Sequence, residues 1–409
     1  MLPHEAQTLA EKLVFRHFFG VLALGGAIGE VAVAAFTLGA LPPLPVALGA
    51  VAVLAVVNRL AARGLETEPV RSRLAAHVGA VALAGAIGGI VCTGALGATG
   101  VLWTVARLAG ALRVEAETVT FATGAPDDFY GWGFRIVGLA ALGVTALVVA
   151  DGYLRGTHRV KVTQLRVPLP GLPPGARIRV VQLSDVHVGP LASRRALRAA
   201  LGRVAALEPD LVCVTGDIAD CPAADLDAWV PELAVIRAPY GVFAILGNHD
   251  RYAGAARVAA ALRRHTDWRL LRDDVATVEI DGARLHVLGL EDRPSQQCAD
   301  GLPALAARAP ADEARVLLAH RPDVVTAAAA LGLPLVLAGH THAGQIAVPG
   351  AARLNVARFL ISRWDHGTFR EGGTLLHVNR GLGESGQAVR IGVGREITVL
   401  DLVGPTTPA

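Results

Sequence analysis

Five short polar pieces carry the side chains with the most chemistry in this sequence: Asp185-Val186-His187, Gly216-Asp217, Gly247-Asn248-His249-Asp250, His320 and Gly339-His340-Thr341-His342. Carboxylates, imidazoles and one amide are the donors that Mn, Fe, Zn or Co accept together, and the absence of cysteine from the set argues against a structural zinc site. Each piece follows an apolar run that reads as a buried strand. A rigid sheet can therefore aim all of them, from loops at strand ends, toward one point. The pattern is the outline of a two-metal site.

The elements that must position these residues begin after a Pro-rich stretch, Val167 to Gly175, which reads as an extended linker. Runs at Ile178 to Leu183, Leu211 to Thr215, Val242 to Leu246, Val316 to Leu318 and Leu335 to Leu337 are predicted strands, and Ser193 to Leu207 and Arg251 to Arg264 predicted helices. This alternation predicts an α/β domain with strands buried on both faces. Asp281-Gly282, between Ala276 to Ile280 and Ala283 to Leu290, signals a hairpin, so the sheet is expected to be mixed. Leu375 to Val378 and Ile397 to Leu400 add strands near the end. Cys92, Cys213, Cys221 and Cys298 form no paired motif, and Cys213, inside an apolar run, is expected in the core.

The N-terminal part is a different kind of object. Of 409 residues, 53% are hydrophobic and only 18% charged, with mean hydropathy +0.46, too apolar for two ordinary soluble domains. Phe18 to Leu41, Leu41 to Val57, Val78 to Leu102 and Phe134 to Ala150 are the expected membrane spans. The first is too long for the apolar core of a signal peptide. Lys12 and Arg16, then Arg59, Arg63, Arg71 and Arg73, then Arg155, Arg159 and Lys161 fall on one side of such a bundle and place both termini in the cytoplasm. A net charge of +3 over this length offers no footprint for nucleic acid. Domain boundaries follow: a transmembrane helical domain over 1–156, a linker over 157–176 and a catalytic domain over 177–404.

The ordered series Asp-x-His, Gly-Asp, Gly-Asn-His-Asp, His, Gly-His-x-His resembles that of the calcineurin-like metallophosphoesterases, over Arg177 to about Leu402. Gly344-Gln345, Asn379-Arg380-Gly381-Leu382-Gly383 and Val389-Arg390-Ile391-Gly392 resemble a membrane-associated bacterial branch. The resemblance implies two mixed β-sheets flanked by helices, behind an N-terminal helical membrane bundle of about four spans. It implies that Asp185, His187 and His342 hold one divalent metal ion, that Asn248, His320 and His340 hold the other, and that Asp217 bridges. It also implies that His249, oriented by Asp250, is the general acid. Asp220, Asp292 and Arg380 stand where the family tends to keep polar residues, in loop or substrate roles. His77, His158, His265, His286, His366 and His377 fall outside every motif, and His377 is expected in the core or on the surface of a strand.

Three readings follow. The first is a multi-pass membrane protein with a cytoplasmic catalytic domain, hydrolysing phosphate esters or diesters with a metal-bridging hydroxide. A variant of it is a pyrophosphohydrolase acting on a lipid-linked substrate such as UDP-2,3-diacylglucosamine. The second is a non-catalytic membrane scaffold that keeps the fold; the presence of all seven ligand positions and of His249 speaks for activity instead. The third makes the spans a transporter, against which Glu30 is almost the only charge in the apolar cores.

Overall fold

Alternation with a period of two runs through the strands of the C-terminal half and sorts their side chains into separate cores. The computed structural model describes residues 23–32, 43–66, 94, 98, 101 and 127–405, except 294, 356, 359–360 and 387. The chain divides into two compact units, the second of which includes residues 152–409.

In that second unit the strands are β1 (Val160–Pro168), β2 (Arg177–Leu183), β3 (Leu211–Thr215), β4 (Val242–Ile245), β5 (Arg269–Leu270), β6 (Asp274–Ile280), β7 (Ala283–Gly289), β8 (Ala314–Leu318), β9 (Leu335–Ala338), β10 (Ala347–Val348), β11 (Ala351–Asn355), β12 (Gly367–Glu371), β13 (Thr374–Val378) and β14 (Arg395–Val403). They form two six-stranded mixed sheets, ordered β1-β14-β2-β3-β4-β5 and β12-β13-β9-β8-β7-β6, and a ribbon of β10 and β11.

Leu211 and Cys213, Ile245, Val316 and Leu318, and Leu335 and Leu337 share one core between the two sheets. Their strand neighbours point the other way. Val212, Val214 and Ala244 meet Leu197 and Leu201 of helix Arg194–Ala205 and Val258 and Leu262 of helix Ala255–His265. Leu317, Val336 and Ala338 meet Leu302 and Leu305 of helix Ser295–Ala306 and Val325 and Ala328 of helix Val325–Ala330. The layers are helix, sheet, sheet, helix, which buries the central strands on both faces, as their continuous apolar runs require. Asp281 and Gly282 both have left-handed φ, 49° and 79°, and close the hairpin that pairs Ile280 with Ala283.

Two expectations are corrected here. The stretch 157–176, expected as a linker, begins with β1, whose nine residues pair in parallel with β14. Its prolines lie after Val167, and the alternation before them is what the sheet uses. The single helix expected over Arg251 to Arg264 is two, Asn248–Tyr252 and Ala255–His265, parted at Gly254, whose φ of 99° no continuous helix tolerates.

In the first unit, Ala23–Ala32, Leu44–Glu66 and Asp127–Asp151 are helical. Among the described residues one helical window is long and apolar enough to cross a membrane, Leu139–Gly156, with mean hydropathy 1.3 over 18 residues. The second expected span is helical, but its apolar part, Leu44–Arg59, is shorter than a span. Only part of the first expected span is described, and the third, Val78 to Leu102, lies outside the described residues except at 94, 98 and 101. Among the described residues, one helix of membrane length stands where a four-span bundle is expected.

Candidate metal centre

Asp185 and His187 follow β2, Asp217 follows β3, Asn248 and His249 follow β4, His320 follows β8, and His340 and His342 follow β9. β2, β3 and β4 run parallel in one sheet, and β8 and β9 run parallel in the other. Donors thus converge from the C-terminal ends of strands in both sheets. The loops that carry them are strained. Asp185, His187, Asp217, His340 and His342 have φ between 47° and 74°, a region L-residues avoid unless the surroundings enforce it. Close approach of the loops is possible because glycines lie between them. A Cβ at Gly216 would come within 2.7 Å of His320 Nδ1, one at Gly247 would run into the Asp217 carboxylate, and one at Gly339 into Ser184 and Asp185.

Three clusters of donors meet around Asp217, one of them His187, Asp217 and His249, and the predicted ligands fall into the other two. In the first of these two, Nε2 of His187 and Nε2 of His342 are 3.0 Å apart, and Asp185 Oδ1 lies 3.3 Å from the latter and 4.0 Å from the former. In the second, His320 Nε2 lies 3.2 Å from Asp217 Oδ2 and 3.1 Å from Asn248 Oδ1, with His340 completing the cluster. Asp217 Oδ2 is also 3.7 Å from His187 Nε2, so one oxygen borders both groups. All seven sequence-predicted ligand positions are brought together.

These spacings fit cations. Donors about 2.0 to 2.2 Å from a metal ion stand roughly 3 to 3.5 Å from one another, the edge length of a tetrahedral or octahedral shell. The tautomer of His320 makes the same point. Its Nδ1 is 2.9 Å from the Thr215 carbonyl oxygen and must donate there, which turns Nε2 toward Asp217 and Asn248 Oδ1 as a third acceptor. A bound cation reconciles these acceptors; without one a proton does, since Asp217 and Asp185 outweigh burial and raise His320 to about 10. Burial pushes the Asp217 and Asp185 carboxyls upward, yet the imidazoles around them win and hold both well below the usual carboxylate range. Burial keeps His340 and His342 neutral by lowering both, which leaves lone pairs for a metal.

His249 sits beside this centre, its ring 4.7 Å from that of His187 and edge-on to it. Its Nδ1 faces Asp220 Oδ1 at 3.3 Å, and its Nε2 lies 3.2 Å from Ser385 Oγ. Asp250, expected to orient His249, also binds backbone. Its carboxylate accepts the backbone N–H groups of Ile218, Ala219 and Gly247 and so ties the Asp217 loop to the Asn248 loop. Burial, with the nearby Asp217 charge, pushes its carboxyl up to about 6 against those three bonds. A second carboxylate, Asp220, faces the His249 ring. Its spacing, three residues after Asp217, and the bridge that pairs Val188 with Ala219 put it under both His187 and His249. Ser385 gives no signal in the sequence. Arg321 reaches His340 Nε2 at 3.3 Å and is held at its Nε by buried Asp292, 3.0 Å away.

A helix-sheet-sheet-helix sandwich with Asp, His and Asn at its strand ends defines a class of metal-dependent phosphoester hydrolases. Residues 178–344 match the family model for calcineurin-like phosphoesterases, so the chain carries a calcineurin-like phosphoesterase domain. Among curated proteins it is similar to a bovine transmembrane protein with metallophosphoesterase domain, at 30% identity over 64% of this chain and 61% of that one. It is also similar to an uncharacterized metallophosphoesterase of Bacillus subtilis, 28% identical over 64% of this chain and 93% of that one. A third relative, an uncharacterized metallophosphoesterase of Campylobacter jejuni, is 31% identical over 56% of this chain and 59% of that one. The chain thus spans about three fifths of the length of the bovine and Campylobacter relatives.

Proposed function

We propose that the chain is a membrane-anchored phosphoesterase working with two divalent metal ions. The observation that carries this reading is Asp217 Oδ2, within 3.7 Å of His187 Nε2 on one side and 3.2 Å of His320 Nε2 on the other. Two ions about 3.5 to 4 Å apart supply an activated water and a clamp for phosphoryl oxygens. Asp185, His187 and His342 would hold one, Asn248, His320 and His340 the other, and Asp217 both.

The chain's own residues supply the rest. His249 would act as the imidazolium: Nδ1–H faces the Asp220 carboxylate, whose charge favours that form, and Nε2 carries the second proton, given to the departing alkoxide. Asp220 fixes the ring and Ser385 Oγ marks the side from which the proton leaves. Exposed apolar side chains along Leu44–Glu66 and Asp127–Asp151, such as Val53 and Leu147, support anchoring in a bilayer. The similarity to a bovine transmembrane protein supports it too. Arg155, Arg159 and Lys161 directly after the membrane-length helix favour a cytoplasmic domain, and anchoring favours an amphipathic, lipid-linked phosphate as substrate.

The test uses the purified full chain in detergent, loaded with Mn, and offers a phosphomonoester, a diester and a nucleotide-lipid pyrophosphate. Turnover of at least one, lost on Asp217→Asn, is expected. Turnover of none, or an Asp217→Asn variant as fast as the wild type, overturns the reading.

A further inference from the structure

Arg390 is the largest fully buried side chain of the described residues, with 1% exposure, and it has no carboxylate of its own. The nearest, Glu384, is 3.7 Å from Arg390 Nε and is already engaged in two 2.8 Å bonds to Arg395. Instead the Arg390 guanidinium donates to the carbonyls of Arg380 at 2.9 Å, of Gly394 and Gly381 at 3.3 Å each, and of Gly383. Nη2 also lies 3.3 Å from His342 Nδ1, a packing contact when His342 offers Nε2 to a metal, because Nδ1 then carries the ring proton. A buried cation held by carbonyls costs more to desolvate than a packed apolar side chain would. Its value lies in what it holds.

It holds a strap. Leu382 N donates to Ser184 O at 2.9 Å and Gly383 N to Asp185 O at 2.7 Å, so residues 381–383 lie against the strained loop that carries Asp185 and His187. There is no room between them. A Cβ at Gly381 would come within 2.9 Å of Asp185 Cβ and 3.1 Å of His342 Nδ1, and one at Gly383 would strike the Val186 carbonyl.

The backbone of Arg390 meets a second segment. Arg390 N donates to Gly152 O at 3.3 Å, and Cβ atoms at Gly152 or Gly156 would crowd the Arg390 carbonyl. Gly152–Gly156 is a π-helical turn, a rare geometry often found at functional sites; it directly follows helix Asp127–Asp151 and forms the end of the membrane-length window Leu139–Gly156. One residue therefore touches the turn with its backbone, and a metal-ligand candidate and the ligand-loop strap with its side chain.

We propose that Arg390 is a positioning residue for the Asp185-His187-His342 half of the centre, and that the Gly152–Gly156 turn sets occupancy of that half through it. The proposal rests on the two-metal reading. Its test measures Mn content, Mn affinity and the spin-coupled Mn pair signal in the purified full chain, before any activity is read. Arg390→Gln is expected to keep about one Mn per chain, to lose the coupled signal, and to weaken one site about 10- to 100-fold. Arg390→Lys should recover part of the coupling. Gly156→Ala, which acts from the turn, should weaken the same site by at least a few fold.

Two tightly bound, coupled ions in Arg390→Gln, or wild-type affinities in Gly156→Ala, overturn the proposal. Should Arg390→Gln fail to fold, Gly156→Ala and Arg390→Lys decide it by the same measurements. A wild-type chain that never holds two ions defeats the two-metal reading itself, which is a separate result.

Discussion

Asp220 places Oδ1 3.3 Å from Nδ1 of His249, and this contact fixes which ring nitrogen faces substrate. Asp220→Asn, measured with Mn saturating because Asp220 also faces His187 Nδ1 at 3.7 Å, should cut kcat by about 10- to 100-fold, the usual cost of losing an outer partner of a working imidazole. The loss should be larger for an alkyl phosphate than for p-nitrophenyl phosphate, whose leaving group needs no proton. Equal losses on the two substrates would remove His249 from the acid role.

Asp250 predicts a different outcome, because it accepts three backbone N–H groups. Asp250→Ala leaves three buried donors without an acceptor and should cost about 3 kcal/mol or more. Denaturant midpoints measure this. A variant with wild-type stability but lost turnover would return Asp250 to a direct catalytic role.

The His340 and His342 imidazoles belong to different groups, one with His320 and Asp217, the other with Asp185 and His187. His340→Ala and His342→Ala should each leave about one ion per chain, while Asp217→Asn lowers occupancy of both sites. Chelation should abolish turnover and lower the unfolding temperature, since ions that bind only the folded chain stabilise it. Metal analysis that finds both ions in His342→Ala contradicts the division.

Acid sensitivity should come in part from His377, far from any ligand in sequence. Burial lowers its pKa to about 4, and its Nε2 is 2.9 Å from Thr398 Oγ1. The folded value lies below the unfolded one of 6.5, so the unfolded chain binds the extra proton between pH 6.5 and 4. Stability should therefore fall as pH drops through that window, by about 3 kcal/mol in all. Unfolding measured from pH 7 to pH 4 should show a smaller decline for His377→Gln. An equal decline in both would assign the acid sensitivity elsewhere.

The strands and the seven ligand positions were legible because both follow from local pattern: apolar runs buried on two faces, each ending in a polar residue with nowhere else to point. Leu211–Thr215 matches its expected bounds at both ends. What was not legible depends on contacts between loops. Asp220 and Asp250 look alike in sequence, and only the packing of the Asp217 loop against the Asn248 loop sets the first under two imidazoles and gives the second three backbone donors. β1 was hidden by neighbouring prolines, since its partner, β14, lies more than two hundred residues on. The break at Gly254 needed a φ that no periodicity reveals.

Each half of the centre draws donors from both sheets: Asp185 and His187 from one with His342 from the other, and Asp217 and Asn248 with His320 and His340. A nascent chain has made the first set long before the second exists. If these groups hold ions as proposed, neither pocket could close on one until the two sheets have docked, and a half-finished molecule would carry no active centre. Assembly of the sandwich would itself be the safety catch on the chemistry.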